Sequence, residues 1–130
     1  MTTLAIIGGT GLEQLDGFSL LQSHVTETPY GDPSGDVQEG RLGHARLLFL
    51  HRHGSPRAIP PHRVNYRANL WALRELGATH VLAVNAVGGI SAGMRPGRLV
   101  VPDQVIDYTW GREHTIDSGD SGALQHIDFT

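Results

Sequence analysis

Four short clusters in this chain carry residue types that do chemistry. The first is Gly8-Gly9-Thr10-Gly11-Leu12. Glycines let a backbone approach an anion closely, and successive N–H groups together with the Thr10 hydroxyl supply donors. The run is not a dinucleotide fingerprint, because Gln14 stands where the third glycine is required, and it lacks the lysine of a nucleotide-triphosphate loop. A tight strand-to-helix turn is the alternative. The second cluster is His51-Arg52-His53-Gly54. Either His51 and His53 form an H-x-H metal pair, or the planar fork of Arg52 holds a tetrahedral oxyanion, or these are surface side chains. The metal reading needs further carboxylate or histidine ligands at suitable spacing, and the sequence offers none. The third, Val64-Asn65-Tyr66-Arg67-Ala68-Asn69, puts two amides four residues apart on one helix face. They would brace neighbouring loops, meet another subunit or face solvent. The fourth is Asn85-Ala86-Val87-Gly88-Gly89, whose small residues let a flat ring or a sugar rest on the backbone, or simply turn the chain. Asp103, Asp107 and Asp128 are candidate acids, with no spacing that makes a catalytic pair.

Composition narrows the chemistry. The 130 residues contain no cysteine, which removes thiol nucleophiles, disulfides and thiolate metal sites. No lysine occurs either, and all ten basic residues are arginine. An anion must therefore be held by arginine, histidine, hydroxyls or backbone N–H groups. A net charge of -3 argues against nucleic acid as the partner. With 39% hydrophobic and 18% charged residues, the chain has ordinary globular composition. Its apolar runs are far shorter than the roughly 20 residues that span a bilayer. The N-terminus has no basic segment ahead of an apolar one, so a cytoplasmic protein is expected.

The elements that must position these clusters follow from local pattern. Residues 4–7 form an apolar run closed by glycines, a buried strand entering a tight loop. A second strand is expected over 19–26 and a surface loop over 28–35. Residues 37–42 and 45–50, joined by Gly43-His44, form a hairpin. Pro60-Pro61 precedes a helix over 62–76, with Tyr66, Leu70, Leu73 and Leu76 at helical spacing and Gly77 at its C-terminal cap. Strands are expected over 79–84, 98–101 and 105–108. The class is α/β. Because polar, glycine-rich clusters follow three strands, one crevice at the carboxyl ends of those strands is the organising expectation. One amphipathic helix is too little to cover both faces of a sheet, so the apolar residues of 79–84 and 98–101 should stay partly exposed.

Taken in order, the clusters at 8–12, 52–54, 64–69 and 85–89, with Pro61, Ile106-Asp107-Tyr108-Thr109 and His126-Ile127-Asp128-Phe129, resemble the methylthioadenosine phosphorylase family of purine nucleoside phosphorylases. Within it the chain is most similar to bacterial methylthioinosine phosphorylases. The resemblance runs over essentially the whole chain. It implies a mixed β-sheet flanked by helices, of which residues 1–130 are the N-terminal part of a single domain. It implies phosphorolysis of purine nucleosides with inorganic phosphate as co-substrate, no metal or organic cofactor, and a homotrimer. Thr10, Arg52, His53, Asn85 and Ala86 match the family's phosphate-contacting positions. Val87 and Gly88 fall beside the purine, and His126 matches a residue that reaches the neighbouring subunit's site. Two departures stand out. Many members carry histidine where this chain has Arg57, and adenine-preferring members commonly carry Thr or Ser in place of Asn85. With Gly88-Gly89, the latter points to 6-oxopurines, above all S-methyl-5'-thioinosine, cleaved to the free purine and 5-methylthioribose 1-phosphate. Members of the family are roughly twice this length, so the residues holding the ribose and facing the purine are expected elsewhere.

Overall fold

The computed structural model of the protein describes residues 2–12, 14–56, 58–113, 115–117, 119–120, 122 and 126. The chain divides into two compact units, Met1–Ala86 and Val87–Thr130. The first holds a five-stranded mixed sheet of order β2-β3-β4-β1-β5. Its strands are β1 (Leu4–Gly8), β2 (Phe18–His24), β3 (Val37–Leu42), β4 (Ala45–His51) and β5 (His80–Ala83). The β2, β3 and β4 strands form an antiparallel meander. Both β4 and β5 run parallel to β1, one on each side. The hairpin between β3 and β4 turns at Gly43, whose φ of +60° is the left-handed conformation a tight turn needs.

Alternation along the strands sorts the core onto two faces. Ala5, Ile7, Leu48 and Leu50 pack with Val37, Ala72 and Leu73 on one face. Ile6, Leu47 and Phe49 pack with Leu12, Leu15 and Phe18 on the other. The first face is covered by α1 (Tyr66–Glu75), preceded by a 3-10 turn over Pro61–Arg63. The expected continuous helix over 62–76 is thus split. Val64 is extended, and the Asn65 side chain accepts a hydrogen bond from the Ala68 N–H, capping a helix that starts at Tyr66. At the far end Gly77 takes a φ of +86°, and its N–H and that of Ala78 bond to the carbonyls of Arg74 and Leu73. The expected stripe holds at Leu73, which is buried, and at Leu76, which packs against the same cluster, but not at Tyr66 and Leu70. Ala68, Asn69, Ala72 and Leu73 are buried, Ala72 and Leu73 against the sheet core, while Leu70 is 46% exposed. The large residues at 66 and 70 are left to the flank of the helix.

Exposure at β5 follows expectation: Val81 is 43% and Leu82 50% exposed. Residues 98–101 and 105–108 form no strands. Apolar β-branched sequence favours a strand only where a partner ladder exists, and these stretches pair with nothing among the described residues. Leu99, Val101 and Ile106 are exposed. No helix among the described residues is long and apolar enough to cross a membrane.

Candidate functional site

Because β4, β1 and β5 are adjacent and parallel, their carboxyl ends lie along one edge of the sheet. Pairing brings them level. Gly8 is opposite His51 and Ile7 opposite Ala83; the Arg52 N–H then bonds to the Gly8 carbonyl and the Val84 N–H to the Ile7 carbonyl. The segments that begin at Gly9-Thr10, Arg52-His53 and Asn85-Ala86 thus leave the sheet together, as the strand-exit argument expects.

Arg52 is the centre of this edge. The strand ends at His51, so Arg52 is free of the alternation that would have turned it away from the histidines. Its Nη1 donates to the Asn85 side-chain oxygen and, at 3.4 Å, to the Val84 carbonyl. Its Nε donates to His53 Nε2 at 3.3 Å. Its Nη2 lies against Gly9. A Cβ at Gly9 would collide with Nη2 and would stand 2.8 Å from the Val84 carbonyl oxygen, so only glycine lets the loop after β1 close over the guanidinium. Gly8 is equally constrained, since a Cβ there would meet the Phe49 ring at 2.6 Å and the Leu12 carbonyl at 2.8 Å. The Leu12 N–H closes a turn onto the Gly9 carbonyl. Close approach, rather than a special backbone angle, explains this glycine pair.

Two hollows lie at this edge, walled by neighbours of Arg52 and not by Arg52 itself. One hollow of about 190 Å³ is lined by Gly8, Gly9, His51, His53, Gly54 and Ser55. A second, about 320 Å³, has Thr10 and His53 on its wall with Ala58, Ile59 and Pro60. Thr10, Arg52, His53 and Asn85 are therefore gathered at one strand edge, with Ala86 next in the chain. Among the described residues lining these two hollows there is no carboxylate. Among the described residues no group of three or more His, Cys, Asp or Glu is placed to hold a metal ion.

The two amides of α1 are not a solvated face. Asn69 is 1% exposed; its oxygen accepts from the Ser34 N–H at 2.7 Å and its nitrogen donates to the Ser34 hydroxyl at 2.9 Å. Asn65 donates to the Tyr30 carbonyl at 2.7 Å. Tyr30 also lies edge-on to Trp71 and under the Arg67 guanidinium. This helix face straps down the loop over 28–36, which contributes Ser34, Gly35 and Asp36 to a polar hollow of about 330 Å³ shared with Ser23, Gln38, His51 and Ser55. Sequence pattern did not single out this hollow, because its residues come from four separate segments and form no local motif. His51 and Ser55 line it as well as the first hollow. The His51 ring stands edge-on to Phe49, with centroids 4.8 Å apart.

In the second unit Val87, Gly88 and Gly89 line a hollow of about 310 Å³ with Ile90, Ser91, Met94, Arg95 and Arg98. His126 is exposed. Asp107 accepts from the N–H and hydroxyl of Thr109, a local turn, and Asp103 is exposed. Asp128 and Arg57 lie outside the described residues.

The model of the phosphorylase superfamily matches residues 3–129. The chain belongs to that superfamily. A probable S-methyl-5'-thioinosine phosphorylase of Pseudomonas syringae pv. tomato is 53% identical over all of this chain and 53% of its own length. A probable 6-oxopurine nucleoside phosphorylase of Dictyoglomus turgidum is 42% identical over 98% of this chain and 48% of its own length. Among solved structures, methylthioadenosine phosphorylase from Schistosoma mansoni in complex with adenine superposes with a TM-score of 0.86 at 41% identity, covering 98% of this chain and 46% of that one. The chain spans about half the length of the curated relatives it matches. The fold expected from the resemblance, a mixed α/β sheet of the nucleoside phosphorylase kind, is the fold found.

Proposed function

We propose that the protein catalyses phosphorolysis of purine nucleosides and that the edge around Arg52 is its phosphate site. The observation that carries this is the guanidinium itself: it is clasped by Gly9, His53, Val84 and Asn85 at the exits of three parallel strands. Phosphate attacks the anomeric carbon as the bond to the purine nitrogen breaks. The electron pair leaves with the purine, which takes up a proton, and the sugar becomes a 1-phosphate. The transition state resembles an oxocarbenium ion, as in glycoside cleavage generally. Arg52 aligns and partly neutralises the dianion, with the Thr10 hydroxyl and the Ala86 N–H completing its hydrogen bonds, so that catalysis comes from positioning and electrostatics. Val87 and Gly88 flank the purine, and no metal or organic cofactor takes part. We place the enzyme in the cytoplasm.

The preferred nucleoside in this proposal is S-methyl-5'-thioinosine. It is supported by Asn85, by Gly88-Gly89 and by the names of the thioinosine and 6-oxopurine phosphorylases to which the chain is similar. The methylthioadenosine phosphorylase among the solved structures supports the amino-purine as the second substrate to test. The assay is release of hypoxanthine from S-methyl-5'-thioinosine against release of adenine from S-methyl-5'-thioadenosine, with phosphate present. A higher kcat/KM for the 6-oxopurine is expected, and a strong preference for the amino-purine would overturn the assignment. A trimer in which His126 serves the neighbouring subunit's site completes the proposal. Mixed oligomers of inactive Arg52→Ala and inactive His126→Ala subunits should regain activity, and none would return if each subunit were self-sufficient.

A further inference from the structure

His53 makes two contacts that fix the state of its ring. Nδ1 lies 2.9 Å from the Ile59 carbonyl oxygen, and Nε2 lies 3.3 Å from Arg52 Nε. A carbonyl oxygen only accepts, so Nδ1 carries the proton. An arginine Nε only donates, so Nε2 carries none. One form of the imidazole meets both demands: neutral, protonated on Nδ1. The main chain holds the ring in that state. The His53 carbonyl accepts from the N–H groups of Ala58 and Ile59, both at 3.0 Å, so the loop that receives the ring proton is anchored to the histidine that gives it. Family resemblance implies a direct contact between this residue and phosphate. In the geometry found here, the nitrogen that faces Arg52 presents a lone pair, which an oxyanion repels.

We propose that His53 is a positioning residue that acts through Arg52. Its neutral ring takes the Nε–H, Asn85 takes Nη1, and the guanidinium is thereby turned so that its Nη2 edge beside Gly9 meets the anion. This deepens the phosphate reading above and rests on it for the ligand, though not for the state of the ring.

Two substitutions separate the roles. In His53→Gln the terminal amide oxygen reaches the place of Nε2 and still accepts from Arg52. In His53→Asn the shorter amide reaches the place of Nδ1 and still donates to Ile59, but Arg52 loses its acceptor. Phosphate binding to the complete protein is measured by calorimetry, together with phosphate and nucleoside KM. His53→Asn should weaken phosphate about 10-fold and leave nucleoside KM unchanged, and His53→Gln, which keeps the acceptor, should lose clearly less. In an Arg52→Ala background His53→Asn should change phosphate affinity by less than about twofold, because its route is already cut. Multiplying losses in the double variant would mean that His53 touches phosphate itself and would overturn the proposal. Nitrogen NMR of the wild-type protein without ligand gives a second readout independent of turnover. A protonated Nδ1, a bare Nε2 and a scalar coupling across the bond from Arg52 Nε are expected. A proton on Nε2 would overturn the proposal even if phosphate binds. The expected spectrum in a protein that binds no phosphate would refute the phosphate site and uphold the assignment of the ring.

Discussion

Replacing Gly9 by alanine tests the site with one methyl group. The added Cβ would overlap Arg52 Nη2 and stand 2.8 Å from the Val84 carbonyl oxygen. The arginine end is flexible and can swing away, but then it gives up Asn85 and His53. The Val84 carbonyl cannot, because the Val84 N–H is bonded to Ile7 at 3.0 Å in the β1–β5 ladder. Overpacking of this kind costs about 1–3 kcal/mol of folding stability. Loss of a charge-assisted hydrogen bond to the anion costs about 1.5–3 kcal/mol more in binding, a weakening of roughly 10- to 100-fold. Chemical denaturation measures the first quantity and phosphate calorimetry the second. Gly43→Ala is the control. It sits at φ +60° in the hairpin with nothing within 4 Å of its Cβ, so it should cost about 1 kcal/mol of stability through backbone strain alone and leave phosphate affinity intact. If Gly9→Ala bound phosphate like wild type, the clasp around Arg52 would not be what aligns the anion.

Two further outcomes follow from the scaffold. Asn69→Ala strands the buried Ser34 N–H and hydroxyl and should cost about 2–4 kcal/mol, with amide hydrogen exchange rising first over residues 28–36, the loop it straps down. Glu39 bonds to Arg46 at 2.7 Å and to His24 at 2.8 Å, which together hold its carboxyl at about 2 instead of 4.5, Arg46 contributing most. A depressed carboxyl stabilises the fold above its unfolded value, and that contribution disappears as pH falls from about 4.5 towards 2. Discounted for solvent at the half-exposed Arg46, it amounts to about 1–2 kcal/mol. Denaturation midpoints between pH 6 and 3 should therefore fall less steeply in Glu39→Gln than in wild type, and parallel curves would refute the linkage.

The scaffold was legible in the sequence wherever a local pattern carried it. Strand β1, the hairpin at Gly43 and the cap at Gly77 are written in alternation and in glycine placement, and the structure has them within a residue or two. Segments 98–101 and 105–108 mislead for a physical reason. Their Val and Ile content describes a surface able to pair, and pairing depends on a partner strand that the local sequence does not contain. The helix misleads differently. Counting large apolar residues finds Leu73 and Leu76 but also selects Tyr66 and Leu70, and it misses the buried Ala68, Asn69 and Ala72. The one polar residue among them is tolerated because Ser34 satisfies both ends of its amide.

The site divides along the same line. An anion-binding role for Arg52 can be proposed from residue type and from the absence of lysine. How Arg52 itself is held cannot, because Gly9 and Asn85 are brought to it by strand register and not by sequence spacing; only His53, the next residue, is near it in the chain. Gly9 and Asn85 are 43 and 33 residues from Arg52 respectively, yet each comes within reach because β4 and β5 flank β1 in parallel and end level. A one-residue slip of either ladder would move these exits by about 3.3 Å and turn successive side chains to the opposite face. Buried apolar pairs such as Ile6 with Phe49 and Ala5 with Leu48 make such a slip costly, since it would carry an entire hydrophobic set to the wrong side of the sheet. The core residues of β1 and β4 are thus what set the position of the guanidinium, and the chemistry at the edge inherits its precision from packing one strand-length away.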